Sequence, residues 1–221
     1  MALMARIAAD ENRPEDSVRL YDALLQRYPG NSVAWYNRGI VLYQLKRVDA
    51  AVQSWTQTLE IQPRETRALS NRAAALVLLK RHREAATDYQ RLVQLTPDNP
   101  AAWQNYAILL ISTEQPDVRN PELALHAAEQ ACKLSEYKDW KHLNSLAKAH
   151  EATGNLLQAR TWAEKARAMA PSGFRAAPEV LVRSLDARLK SQQNSSPAPV
   201  AGPNSSRRMR AANGSRSAAG N

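Results

Sequence analysis

A single cysteine, Cys132, in 221 residues leaves no internal disulfide to form and no thiolate cluster for zinc. Seven glycines and one phenylalanine are too few for the turn-dense, aromatic-rich strands of a β-sandwich or barrel. No apolar run approaches the roughly 20 residues that cross a bilayer. The first residues, Met1 to Ala9, carry Arg6 and lead into Asp10 and Glu11, which is too short and too polar for a secretory leader. No glycine-rich phosphate loop occurs. The four histidines, His82, His126, His142 and His150, are scattered, and His142 and His150 are eight apart rather than the four that sets two ligands on one helix face. Trp35, Trp55 and Trp103 read as packing residues rather than base-stacking platforms. These absences point to a cytoplasmic chain that is not an enzyme and carries no cofactor and no metal.

What is abundant is alanine, leucine and charge, a helix-favouring balance. The formal net charge is +9, of which Arg207, Arg208, Arg210 and Arg216 supply +4, leaving +5 on the first 190 residues. A basic tail on a mildly basic body is weaker support for nucleic-acid binding than one strongly basic face would be.

The sequence repeats itself. Pro29, Pro63 and Pro97 are spaced by 34, as are Tyr21, Trp55 and Tyr89; Trp35, Leu69 and Trp103; Ala5, Gly39, Ala73 and Ala107; and Leu42, Leu76 and Leu110. Each period reads helix, turn, helix. Val33 to Leu45 has helical apolar spacing, Lys46 to Asp49 is a polar turn, and Ala50 to Ile61 is a second helix stopped by Pro63. Small residues at Gly39, Ala73 and Ala107 mark where the two helices approach closely, with Ala51 and Ala85 opposite. A mid-helix glycine costs about 1 kcal/mol against alanine, so Gly39 implies tight packing.

The unit resembles a tetratricopeptide repeat. The resemblance rests on Trp35, Gly39, Leu42, Ala51, Trp55 and Pro63, and again on Leu69, Ala73, Leu76, Ala85, Tyr89 and Pro97. Arg38 and Arg72 depart from the leucine usual in the family, and their stems are expected to pack while their heads reach solvent. The resemblance implies an all-α, right-handed superhelical solenoid of about five helix-turn-helix units, at 1–31, 32–65, 66–99, 100–139 and 140–173. Leu181, Leu185 and Leu189 on one stripe mark an amphipathic capping helix at 178–190, and the Ser, Pro, Ala, Gly, Asn and Arg composition of 191–221 marks a disordered basic tail. The fourth unit carries extra residues near 112–120, where Pro116 and Pro121 forbid a continuous helix, and Asn120 is placed to cap the helix that Pro121 opens. The first helix pair has nothing before it to cover its outer edge. That edge is tolerated, pairs, or continues into a longer protein.

In such a solenoid the first helices of the units line the inner face. Asn37, Asn71 and Asn105 repeat there at the 34-residue step. A carboxamide offers both donor and acceptor, so the series can bond a ligand's peptide backbone, or it can bond neighbouring helices and only fix packing. The series is similar to the inner-face asparagine ladder of tetratricopeptide superhelices, including those of O-linked glycosyltransferases. The expected groove residues are Asn37, Asn71 and Asn105 together with Tyr36, Tyr43, Gln44, Arg67, Gln104, Lys141, Asn144 and Lys148. Apolar members such as Ile40 and Ile108 are expected to pack against adjacent helices more than Tyr36 and Tyr43 do. The groove reads as mixed apolar and amide early and basic late, suited to a peptide with aliphatic side chains and one acidic end. The family's clamp for a chaperone tail carboxylate is discounted, because only Asn37 and Arg67 match its parts.

The expected function is a non-enzymatic interaction scaffold whose partner is a protein or peptide, with no membrane. Two other readings stand beside it: a substrate-recruiting segment of a larger enzyme such as a glycosyltransferase or kinase, and nucleic-acid binding through the arginine tail.

Overall fold

The computed structural model describes residues 1–195. These form eleven α-helices and one 3-10 turn, with no strand among the described residues. The helices are α1 (Ala2–Asp10), α2 (Pro14–Arg27), α3 (Ser32–Gln44), α4 (Val48–Ile61), α5 (Thr66–Leu78), α6 (His82–Leu95), α7 (Pro100–Ser112), α8 (Pro121–Leu134), α9 (Trp140–Ala152), α10 (Leu156–Met169) and α11 (Ala176–Ser195). The closing helix is longer at both ends than the expected 178–190. The remainder of the expected tail, 196–221, lies outside the described residues.

The repeat is written in its helix ends. Asn31, Glu65, Asn99 and Asp139 each accept a hydrogen bond from a backbone N–H in the first turn of α3, α5, α7 and α9. Asn120 does the same for α8, accepting from Leu123 N–H at 2.9 Å, with Pro121 in the first turn as expected. Within the hairpins the chain reverses through one left-handed residue: Asn12, Lys46, Lys80 and Gly154, at φ 58, 61, 58 and 81°. Two of these four positions thus carry a lysine in a conformation that suits glycine.

Close packing at Gly39 is as tight as its sequence position implied. A Cβ built there would lie 2.5 Å from Nε1 and 2.8 Å from Cδ1 of Trp55. The Trp55 indole is 2% exposed and donates to the Tyr36 carbonyl at 3.2 Å. Trp35 and Trp103 are only half-buried. Each donates its indole N–H to a proline carbonyl in the preceding loop, Pro29 at 2.8 Å and Pro97 at 2.9 Å, so they tie one unit to the next.

Arg38 and Arg72 correct the expectation that their heads reach solvent. Arg38 donates from Nε to Asp22 at 2.7 Å and from Nη1 to Ser54 at 2.8 Å, joining α3 to α2 and α4. Arg72 makes two bonds to Asp88, at 2.8 and 2.7 Å, and one to Thr56 at 3.0 Å, joining α5 to α6 and α4. The guanidinium fork satisfies three helices at once, which a solvated head cannot do.

The inserted segment is docked rather than loose. Thr113 and Val118 are buried. His82 Nδ1 and Thr113 Oγ1 are 2.8 Å apart, Gln115 donates to the Lys80 carbonyl at 3.2 Å, and Arg83 pairs with Asp117. The insertion therefore closes over the α5–α6 turn. At the far end, Leu181, Val182 and Leu185 of α11 bury against Leu156, Ala159 and Ala163 of α10, the cover a solenoid end requires. At the near end, Leu3, Met4 and Ile7 of α1 remain exposed.

Between successive hairpins the odd helices touch, α1 with α3, α7 with α9 and α9 with α11, while no two even helices make comparable contact among the described residues. These contacts fit an inner face built by the odd helices, as the repeat implies.

Candidate functional site

The asparagine series divides. Asn37 is half-buried and hydrogen-bonds the Tyr21 phenol of α2, where burial pushes the Tyr21 pKa up and this bond opposes the rise. Asn71 is half-buried and donates to the Tyr36 hydroxyl of α3 at 3.3 Å. Asn105 is exposed. Two of the three thus bond neighbouring helices, and one is open on the inner face. In α9 the position in register with them, counted from the helix cap, is Ser145. It donates to the Lys141 carbonyl at 3.0 Å and accepts from Gln104 at 3.2 Å.

Tyr36 is half-buried beneath the Arg67 guanidinium, whose carbon lies 4.9 Å from the ring centroid. Arg67 also pairs with Glu65 at 2.9 Å, and that hydrogen bond holds the Glu65 carboxyl below its ordinary range against the opposing effect of burial. Tyr43 is half-buried with its ring 6.0 Å from Trp55, so it packs within the α3–α4 hairpin. Gln44 is exposed at the end of α3. The expected ranking of Ile108 is reversed: it is 42% exposed, whereas Ile40 is half-buried as expected. Lys141 and Lys148 are exposed, and their side chains make no ion pair among the described residues. Asn144 is half-buried, with Oδ1 lacking a partner, as do the Nδ1 atoms of His142 and His150 on the same helix. Burial lowers the pKa of both histidines. Cys132 is fully buried, and burial pushes its thiol up to about 12, so it is no nucleophile in the folded chain.

One signal on this face went unread in the sequence: its acids are missing. Apart from Asp10 at the end of α1, the helices α3, α5 and α7 contain no Asp or Glu, and the one acid of α9, Glu151, is paired with Arg188 of α11 at 2.6 Å. The even helices α2, α4, α6, α8 and α10 each contain at least one. Among the described residues no three His, Cys, Asp or Glu side chains converge as a metal site, and no helix is long and apolar enough to cross a membrane.

A tetratricopeptide repeat profile matches residues 3–63, 47–100 and 117–174. The chain belongs to the tetratricopeptide repeat family. Solved tetratricopeptide structures share its fold. MamA from Desulfovibrio magneticus RS-1 is 17% identical, with a TM-score of 0.66 over 75% of this chain and 90% of that one. A tetratricopeptide repeat protein from Parabacteroides merdae is 17% identical, with a TM-score of 0.70 over 88% and 78%. YrrB, described as a tetratricopeptide protein with an unusual peptide-binding site, is 14% identical, with a TM-score of 0.63 over 78% and 85%. No curated protein sequence matches. Tetratricopeptide repeats mediate protein–protein interactions and are generally non-enzymatic, so the fold carries the general reading of an interaction protein.

Proposed function

We propose that this chain is a non-enzymatic cytoplasmic scaffold that holds an extended peptide or a helix of a protein partner along its odd-helix face. The observation that carries this is the absence of acids from α3, α5 and α7 together with the unpaired Lys141 and Lys148 on α9. An acidic stretch of the ligand meets no helix carboxylate along α3, α5 and α7 and finds cations at the α9 end. Leu78 and Ile108, 61% and 42% exposed, offer apolar contact midway, and the open carboxamide of Asn105 can both donate to and accept from a ligand backbone. Asn37 and Asn71 act chiefly by holding Tyr21 and Tyr36 in place. The peptide-binding description of YrrB supports this reading through shared fold alone.

Affinity capture with the intact chain, the Asn105→Ala variant and the Lys141→Glu, Lys148→Glu pair tests it. A partner retained by the intact chain and lost by the charge-reversed pair is the expected result. Equal capture by all three refutes inner-face binding.

A further inference from the structure

A second surface stands apart from the inner face. Where the loop after α8 meets the end of α10, Tyr137, Leu143, Trp162, Lys165, Ala168 and Met169 line a cleft of about 450 Å³, large enough for a bulky side chain and its flanks. The loop that builds it departs from the repeat. It holds two consecutive non-glycine residues in the left-handed region, Glu136 at φ 51° and Tyr137 at φ 57°, a conformation disfavoured for L-residues. Two backbone bonds fix it: Glu136 N–H donates to the Lys133 carbonyl at 3.0 Å and Tyr137 N–H to the Cys132 carbonyl at 2.8 Å.

The strained turn lays Tyr137 on Trp162, with centroids 5.5 Å apart and planes 19° from parallel, and the Lys165 ammonium sits 4.3 Å from a Trp162 ring centroid. In the second and third units the position of Trp162 holds Ser54 and Asp88, which receive the Arg38 and Arg72 heads, and in the fourth it holds Ala127. In this last unit the site is aromatic instead. Tyr137 is 38% and Met169 45% exposed, so the walls are apolar and reachable from solvent.

The surroundings are cationic. Lys165 in the cleft wall is exposed, as is Lys133 in the last turn of α8, whose carbonyl holds the cleft-building turn. The nearby acids are committed elsewhere: Glu136 pairs with Lys138, Asp139 caps α9, and Glu164 pairs with Arg160. This balance disfavours the chain's own residues 196–221, which contain four arginines and no acid or aromatic residue. It favours a partner of opposite sign. Tyr137 and Lys165 already cover the Trp162 ring, which argues against nucleobase stacking.

We propose that this cleft is a second docking site, taking one aromatic or large aliphatic side chain of a partner peptide whose neighbours are acidic. The anchor enters between Tyr137 and Met169, and the flanking carboxylates meet Lys165 and Lys133. The site lies on the α8–α10 edge, so it operates whether or not the odd-helix face is occupied.

The test uses the full chain and a synthetic peptide with a central phenylalanine flanked by glutamates. Its controls are one peptide with alanine in place of the phenylalanine and one with lysines in place of the glutamates. Binding is read from the Trp162 indole N–H resonance in two-dimensional NMR. The acidic phenylalanine peptide is expected to shift that resonance in saturable fashion, and both control peptides to bind at least about tenfold more weakly. Met169→Glu puts a carboxylate in the cleft, and Tyr137→Gly removes the aromatic wall while suiting the backbone. Each is expected to weaken binding by about tenfold or more with the fold retained. The Lys141→Glu, Lys148→Glu pair is expected to leave this binding unchanged, which separates it from the inner-face reading. Absence of binding, binding unaltered by Met169→Glu and Tyr137→Gly, resonance shifts confined to α5, α7 and α9, or displacement of the peptide by a uridine oligonucleotide would each overturn the proposal.

Discussion

Replacing Gly39 by alanine should destabilise the protein although it adds a better helix former. The new methyl would sit 2.5 Å from the Trp55 ring nitrogen and 2.8 Å from two ring carbons, against the 3.5 Å or more of ordinary contact. The rigid indole would have to move by about 1 Å, yet it is 2% exposed and its N–H is held by the Tyr36 carbonyl. Overpacking of this kind costs about 1–3 kcal/mol, and a strained indole hydrogen bond about 1 kcal/mol more. The gain in helix propensity returns about 1 kcal/mol. The net loss is about 2 kcal/mol, read as a Tm lowered by roughly 4–8 °C in a domain of this size. The chain itself contains the remedy, since Ala5 faces Tyr21 and Ala73 faces Tyr89 at the same two positions. Gly39→Ala combined with Trp55→Tyr should therefore be more stable than Gly39→Ala alone, a positive coupling in a double-mutant cycle followed by urea unfolding and circular dichroism. A stabilised Gly39→Ala, or strict additivity in the cycle, would refute the packing argument.

Three further outcomes follow from the geometry. Lys46→Gly and Lys80→Gly relieve left-handed lysines at φ 61 and 58°, and each should raise stability by about 1 kcal/mol in thermal unfolding. Arg72→Met strands the Asp88 carboxylate, which is 5% exposed and doubly bonded to that arginine. Urea unfolding should show a loss of about 3 kcal/mol, larger than for Arg38→Met, whose partner Asp22 is 44% exposed. Burial holds His142 and His150 below their ordinary pKa of 6.5. As pH falls through 6.5 the unfolded chain takes protons first, so stability should decrease between pH 7 and 5. His142→Ala, which restores the alanine found at Ala34, Ala68 and Ala102, should flatten that decline in Tm-versus-pH scans.

The helical repeat was legible in the sequence because one packing problem is solved again and again. Gly39 and Trp55, Ala73 and Tyr89, and the caps Asn31, Glu65 and Asn99 recur at one spacing. Side-chain destinations were less legible. Arg38 and Arg72 occupy a family leucine position, and nothing local shows that Asp22, Ser54, Thr56 and Asp88, each 16 residues away, converge on them. The asparagine series looked uniform, but Asn37 and Asn71 meet a phenol from an earlier helix while Asn105 meets none. The Ser112–Asn120 insertion gave no sign of docking, because His82, Lys80 and Arg83 receive it from the preceding unit. The acid-poor inner helices were readable in principle, once charge was counted helix by helix rather than over the chain.

The most direct test of the inner-face account is site-specific photo-crosslinking in cells of origin, with a benzophenone amino acid at Ile108 on α7 or at Leu157 on the outer helix α10, 42% and 71% exposed. The account predicts a discrete protein adduct from position 108 that disappears when Lys141 and Lys148 are both changed to glutamate. An adduct from 157 with none from 108, or one at 108 indifferent to those two lysines, would contradict it.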